Sequence, residues 1–183
     1  SPSSFLGRSL AIILMLSGIG LVSTVTGSIS SIFTTRKIMK GRGLDMIEST
    51  NHIVICDWND NIEHVLACMS QIINSNEKII LVNDLSEDQL NSIKAKYANL
   101  NLDFVIGDFT NEKTLNLANI EHAKAVIVIS DDSIADADDR TILTTLTIKN
   151  LYPAVKVIAY ASERKKIPYL KRANADTIIL KDN

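Results

Sequence analysis

Basic residues and cysteines are both scarce in this sequence. The 19 lysines and arginines are outnumbered by 21 acidic residues, which gives a formal net charge of -2. Since no basic patch is large enough to neutralise many phosphates, the composition argues against nucleic acid as a partner. The two cysteines, Cys56 and Cys68, are expected to be small hydrophobic residues of the core rather than a disulfide.

Charged residues are absent from one long stretch, Ser9 to Thr35. About 20 apolar residues at roughly 1.5 Å each are enough to cross a bilayer core of about 30 Å. The stretch therefore predicts a transmembrane helix. A cleaved signal peptide and a plain single-pass anchor are the alternatives.

Small residues recur along this stretch with a spacing of three and four. They are Ser17, Gly20, Thr24, Gly27 and Ser31, and this spacing places them on one side of a helix. Such a stripe is typical of a packed helix pair or of a helix that lines an aqueous path. The spacing alone leaves both interpretations open.

Positive charge is concentrated just after the uncharged stretch. Arg36, Lys37, Lys40 and Arg42 follow it, whereas Arg8 precedes it. The positive-inside rule then predicts a cell-membrane protein whose C-terminal part is cytoplasmic. We expect a transmembrane segment at 1–35, a basic cytoplasmic linker at 36–51 and one soluble domain at 52–183.

From His52 onward, short aliphatic runs alternate with stretches of helical periodicity. The predicted strands are 52–56, 78–83, 102–106, 123–130, 155–160 and 176–180. Because their cores are continuous aliphatic runs, helices should cover both faces of the sheet. The predicted fold class is α/β: one transmembrane helix followed by a Rossmann-like, doubly wound parallel sheet of about six strands.

Polar residues follow the first four predicted strands. In such folds ligands bind at the carboxyl ends of the strands. The candidate ligand-binding residues are Asp57, Trp58, Asn59, Asp84, Asp108, Thr110, Ser130 and Asp131.

The glycine-rich loop of a dinucleotide-binding fold is missing. Its three glycine positions in the first turn are occupied by Asp57, Asn59 and Ile62, which weakens the standard mode of NAD binding there. Asp84 stands about where an acid would bind the ribose hydroxyls. The alternative is a solvated carboxylate that caps a helix.

Catalytic residues do not form a recognisable set. The three histidines, His52, His64 and His122, are scattered, and neither cysteine has a histidine at a suggestive spacing, so we predict no enzyme. The acidic run at 135–140 is interpreted as the first turns of a long helix.

Three segments carry a family resemblance: NHIVICDWN, FVIGDFTNEKTLNLANIEHAKAVIVISDD and DADDRTILTTLTIKNLYP. They resemble a first strand and turn, a third-to-fourth strand segment and the following helix of the RCK domains (regulator of potassium conductance, TrkA-N-like) of potassium channels. Upstream, SPSSFLGR resembles the stretch after a selectivity filter. LMLSGIG resembles a hinge-bearing inner pore helix, with Gly18 or Gly20 as the gate hinge.

The resemblance implies a homotetramer in which four inner helices surround a path for potassium ions and a ring of RCK domains controls the gate. It implies a regulatory ligand, either NAD or another adenine nucleotide in the cleft, or a divalent cation among the carboxylates. An empty structural cleft is the third possibility. As functional alternatives we keep a membrane-tethered NAD-dependent oxidoreductase and a single-pass scaffold protein.

Overall fold

The computed structural model describes residues 5–41, 46–58, 62–72, 77–129 and 136–181. The chain divides into two compact units, residues 1–41 and 42–183. The helices are α1 (Phe5–Gly41), α2 (Ile62–Ile72), α3 (Glu87–Lys96), α4 (Glu112–Leu117), α5 (Ala137–Leu151) and α6 (Ile167–Arg172). The strands are β1 (Ile53–Cys56), β2 (Lys78–Asn83), β3 (Asn101–Ile106), β4 (Ala125–Val128), β5 (Val157–Ala161) and β6 (Thr177–Leu180), with 3-10 turns at Ile120–His122 and Arg164–Lys166.

The six strands form one parallel sheet in the order β3-β2-β1-β4-β5-β6. The predicted α/β class is confirmed. The chain adds strands to one side of β1 and then returns to add the others on its opposite side. The order reverses between β1 and β4, and in doubly wound sheets ligands bind at the carboxyl ends of the strands at such a point.

Two hydrophobic layers explain why the strands are continuously aliphatic. Val54 and Cys56 face the core beneath α4 and α5, whereas Ile55, between them, faces the core beneath α2 and α3. Successive strand residues point to opposite faces of a sheet. A sheet covered on both faces therefore requires apolar residues at every position of β1.

The two cysteines differ from each other in burial. Cys56 is buried in the sheet as predicted, and Cys68 is exposed on α2, so the prediction for Cys68 is wrong. The buried side of α2 carries Ile62 and Leu66. A residue two positions after Leu66 lies on the opposite side of the helix.

Helix α1 continues past the predicted end of the apolar stretch to Gly41. Its segment Phe5–Ser31 has the length and composition of a membrane span, and no part of that span is buried in this chain. The helix runs without a break through Gly18 and Gly20, so their role as hinges stays a prediction.

Several hydroxyl groups of α1 bind the carbonyls of their own helix. Ser17 donates to the Leu14 carbonyl at 2.9 Å and Thr24 to the Gly20 carbonyl at 2.8 Å. These bonds satisfy the hydroxyls inside the helix. The stripe of small residues can therefore lie against lipid, protein or water.

Candidate ligand-binding cleft

The turn after β1 keeps a backbone conformation that favours glycine. Asp57 has φ 75° and is 7% exposed, and its amide donates to the Val82 carbonyl at 2.9 Å. Its carboxylate accepts from the Trp58 amide at 2.8 Å. Short polar side chains that bond locally are the ones that tolerate the left-handed region, so aspartate replaces glycine here and adds a negative charge.

Trp58 lies on the α2 and α3 side of the sheet. Its ring is half-buried against that core and lines a cavity of about 370 Å³ together with Leu85 and Ile93. The structure thus places Trp58 beside α3, where it contributes to packing.

The end of β2 combines a buried amide with an exposed acid. Asn83 is 1% exposed, and its side-chain oxygen accepts from the Leu85 amide at 3.2 Å. Among the described residues, its Nδ2 group has no hydrogen-bond partner. Buried donors are nearly always paired, so this amide is a candidate contact for a ligand.

Asp84 follows at the surface and does not cap the next helix. The N-cap of α3 is Ser86, whose amide donates to the Gln89 side chain at 3.0 Å. The alternative interpretation of Asp84 as a helix cap is therefore wrong, because the cap lies two residues further on. The Asp84 carboxylate is exposed at the end of β2.

The turn after β3 requires glycine. Gly107 has φ 154°, and a Cβ atom there would come within 2.9 Å of the Thr114 hydroxyl. Its amide donates to the Asn83 carbonyl at 2.9 Å, which joins the ends of β2 and β3. The close approach lets α4 begin directly behind the strand.

Asp108 and Thr110 form a local network in this turn. The Asp108 carboxylate accepts from the Thr110 amide at 3.0 Å and from its hydroxyl at 2.8 Å. The hydrogen bond from the Thr110 amide holds the pKa of Asp108 below its usual range, against the opposing effect of desolvation. The Thr110 hydroxyl and, less strongly, the charge of Arg140 also lower this pKa. Asp108 is thus a fixed anion at the edge of the cleft.

Arg140 is the cation that faces this anion. It comes from the first turns of α5, with its guanidinium 3.5 Å from the Asp108 carboxylate and 4.3 Å from the centre of the Phe109 ring. Arginine is unfavourable near the positive end of a helix dipole. This unusual position was the signal that could have identified Arg140, which the sequence reasoning included only in an acidic run.

The TrkA-N domain model among known protein families matches residues 53–181. The chain belongs to the TrkA-N domain family. Over 183 residues it is 33% identical to the calcium-gated potassium channel TvoK of Thermoplasma volcanium, and the match covers 97% of this chain and 50% of TvoK. The chain spans about half the length of the curated relatives it matches.

Solved structures share the fold of this TrkA-N chain. The GsuK structure bound to ADP superposes with a TM-score of 0.68 at 19% identity, over 98% of this chain and 46% of that one. The GsuK channel bound to NAD gives 0.66 at 19% identity, over 98% of this chain and 31% of that one. At these identities the likeness concerns the fold alone.

The structure brings together only part of the predicted site of the TrkA-N domain. Asp108 and Thr110 are in contact, and Asp57, Asp84 and Asp108 follow the adjacent strands β1, β2 and β3. Asn59, Ser130 and Asp131 lie outside the described residues.

The TrkA-N domain has no metal site within the described ranges. No group of three His, Cys, Asp or Glu side chains in 5–41, 46–58, 62–72, 77–129 and 136–181 could hold a metal ion. The divalent-cation alternative would therefore depend on residues such as Asp131.

Buried titratable side chains of the TrkA-N domain are held in unreactive surroundings. Burial lowers the pKa of His52, against the opposing effect of the Ala118 carbonyl, to which the Nε2 atom is bonded at 2.9 Å. Burial raises the pKa of the Cys56 thiol well above its ordinary value. A thiol in such an environment is a poor nucleophile.

Proposed function

We propose that this chain belongs to a ligand-gated potassium channel subunit, with α1 as the inner pore helix and the TrkA-N domain as the cytoplasmic sensor. The observation that carries the proposal is the combination of a helix long enough to span a membrane with a TrkA-N domain directly after it. TvoK, matched over 97% of this chain, is named as a potassium channel.

The predicted topology can be tested with a native cysteine. Cys68 is exposed and Cys56 is buried, so a membrane-impermeant thiol reagent should label Cys68 in inverted vesicles and leave it unlabelled in intact cells. Cys68→Ser is the control for specificity. Labelling of Cys68 in intact cells would overturn the cytoplasmic position of the domain.

We infer that the regulatory ligand is an adenine nucleotide. Asp84 is exposed at the end of β2 and free of a capping role, and it can accept hydrogen bonds from ribose hydroxyls. The Asn83 amide beside it, which has no partner in the part of the chain that the structure describes, can donate to a ligand oxygen. GsuK, whose fold this chain shares, has been solved with ADP and with NAD.

Asp57 opposes the binding of the phosphates. One such charge at about 6 Å from a phosphate costs on the order of 2 to 3 kcal/mol at an effective dielectric near 20. That energy corresponds to about a hundredfold in affinity. We therefore expect weak binding in which the adenosine half contributes most of the affinity.

Titration of Asp57 variants tests this arrangement. Asp57→Asn removes the charge and keeps a residue that tolerates φ 75°, whereas Asp57→Gly removes both the charge and the side chain. With a nucleotide in the cleft, both variants should bind NAD and ADP more tightly than the wild type, and the glycine variant should bind them most tightly.

Calcium serves as the discriminating ligand in the same titration. If the wild type binds calcium more tightly than both variants, the ligand is a cation held by Asp57 and not a nucleotide. If none of the three proteins binds NAD, ADP or calcium, the cleft has only a structural role.

Self-association is proposed to use the outer side of α5 and α6. Leu143, Leu146 and Tyr169 are exposed there around a cavity of about 440 Å³ that Lys165 also lines. Exposed apolar side chains grouped in this way mark an interaction site. The occupant that fits the channel proposal is the same surface of a neighbouring subunit.

The oligomeric state separates the proposed channel from the alternatives. A channel subunit should be tetrameric in mild detergent, and Leu143→Glu with Leu146→Glu should weaken the assembly of the domains. A dimer would favour a scaffold protein. Turnover of NADH with a small carbonyl substrate would favour the membrane-tethered oxidoreductase.

A further inference from the structure

Residues 46–51, here called the tether, are bound to one loop of the domain. They lead into β1, which begins at Ile53. The loop they contact is the α4–β4 loop, residues 118–124, together with the last residue of α4. The tether thus lies at the amino-terminal edge of the sheet, opposite the ligand-binding cleft.

Backbone hydrogen bonds hold the tether at both ends. The Ile47 amide donates to the Leu117 carbonyl at 2.8 Å, and the Asn51 amide donates to the His122 carbonyl at 2.8 Å. The Ile47 side chain is buried in the same core as Leu115 and Ile120.

Asn119 binds the middle of the tether through its side chain. Its Nδ2 group donates to the Ser49 carbonyl at 2.9 Å, and its Oδ1 atom is 3.0 Å from Nδ1 of His122. Because the Ser49 carbonyl can only accept, the amide nitrogen must face it. His122 Nδ1 therefore carries a hydrogen and donates to Asn119, which fixes the orientation of the amide.

The backbone of Asn119 restricts which residues can take this role. It adopts φ 51° and ψ 46°, the left-handed region that asparagine and glycine occupy most readily. Glycine has no side chain with which to bind the tether. Asparagine satisfies both requirements at once.

The chain between Gly41 and Ile47 is short. However it is arranged, it reaches at most about 21 Å. Suppose that the tether stays attached to the α4–β4 loop. A movement of this loop that stretches the intervening chain to its full length must then also move the end of α1.

We propose that Asn119 is the positioning residue that locks the tether to the α4–β4 loop, so that movement of this loop is what reaches the membrane helix. The coupling to a gate depends on the proposed channel function. The attachment of the tether itself does not. The two parts therefore need separate measurements.

Hydrogen exchange of the full-length protein in detergent tests the attachment. Asn119→Gly preserves the backbone conformation and removes only the side chain. Exchange in peptides that cover the tether should become about tenfold faster, the change expected for the loss of about one hydrogen bond. Exchange in β2 should stay unchanged.

Asn174→Gly is the matched control. Asn174 also has a positive φ, 62°, and is exposed in the turn after α6. Its replacement should leave exchange in the tether unchanged. Equal exchange in the tether of wild type and Asn119→Gly would overturn the attachment.

Ion flux in proteoliposomes tests the coupling. Asn119→Gly should bind ADP with wild-type affinity and lose the flux response to ADP, and Asn119→Asp, which cannot donate to Ser49, should behave in the same way. A full response in both variants would overturn the coupling. If wild-type flux does not respond to any nucleotide, the proposed nucleotide gating and its coupling through Asn119 both fail, and hydrogen exchange still decides whether Asn119 holds the tether.

Discussion

The two edges of the sheet are held together in different ways. At the carboxyl edge, the side chains in the turns after β1, β2 and β3 bind backbone amides one or two residues away, as Asp57 does with Trp58 and Asp108 with Thr110. At the amino edge, His52 binds Ala118 and Asn119 binds Ser49 across 66 and 70 residues of sequence.

The difference bears on which edge can adapt to a ligand. The bonds from Asp57 to Trp58 and from Asp108 to Thr110 stay within one turn, although Asp108 also pairs with Arg140 of α5. The local bonds can be exchanged for bonds to a ligand without moving a helix or a strand. Bonds between distant segments join those segments, so that breaking them separates parts of the fold. The proposed ligand site thus lies at the edge with local side-chain bonds, and the proposed attachment of the tether lies at the edge whose side-chain bonds join distant segments.

The largest effect at the carboxyl edge is expected from Gly107→Ala. The added Cβ would lie 2.9 Å from the Thr114 hydroxyl at a φ of 154°. Overpacking and backbone strain together should lower the free energy of unfolding by about 3 kcal/mol. Chemical denaturation of the full chain in detergent measures this change.

Thr114→Ala in the Gly107→Ala background separates the two causes. It removes the atoms that the new methyl group would meet and leaves the backbone strain in place. Partial recovery of stability is expected. No recovery would show that the close contact contributes nothing at this turn.

At the amino edge, acid should weaken the fold through His52. Its pKa is lowered from 6.5 by burial, and the charges of Lys78 and His122 lower it further. The unfolded chain therefore binds the proton more readily. The free energy of unfolding is therefore not reduced by His52 above about pH 6.5. It decreases as the pH falls from there towards the lower pKa of His52 in the folded state.

Denaturation at pH 7 and pH 5 measures this second effect, which should be smaller than that of Gly107→Ala. His52→Gln should reduce the difference in the free energy of unfolding between pH 7 and pH 5. His64→Gln, at an exposed position of α2, should keep the wild-type difference. The same pH dependence of the free energy of unfolding in all three proteins would contradict the contribution of His52 to the loss of stability in acid.

The smallest effect is expected from Thr110→Val. It removes the hydroxyl bond to Asp108 and keeps the amide bond, which has the larger effect on the pKa of that carboxyl. The cost should be about 1 kcal/mol or less, and the pKa of Asp108, followed by NMR, should rise towards its ordinary value. A large loss of stability would show that the Thr110 hydroxyl stabilises more of the fold than its own turn.

Thr147→Val is the control for this substitution. Its hydroxyl donates to the carbonyl of Leu143 on the same helix, at 2.9 Å. The pKa of Asp108 should be unchanged in this variant.

Much of the fold could be predicted because its signals are local. The aliphatic runs of β1 and β2 are continuous since both faces of the sheet are covered, and the structure places these strands within one residue of the predicted bounds. The exposure of Cys68 could not be predicted, because it depends on which side of α2 meets the sheet.

The sequence predicted at which edge of the sheet the candidate site lies, but not all of the contacts within it. Asp84 and Asp108 were identified because polar residues after buried strands mark the binding edge. Arg140 was not identified, and the burial of the Asn83 amide could not be predicted, because both depend on neighbours from other strands and helices.

The sequence by itself determined the class of the protein: an uncharged apolar stretch long enough to span a membrane, then alternating strands and helices with polar residues after the strands. Charge, hydrophobic periodicity and turn residues act over a few positions, so they can be recognised along the chain. Only the tertiary structure decided that Asn119 meets Ser49, that Arg140 faces Asp108 and that the Asn83 amide is buried without a partner among the described residues. Those contacts join residues that are close only after the sheet has brought distant segments together.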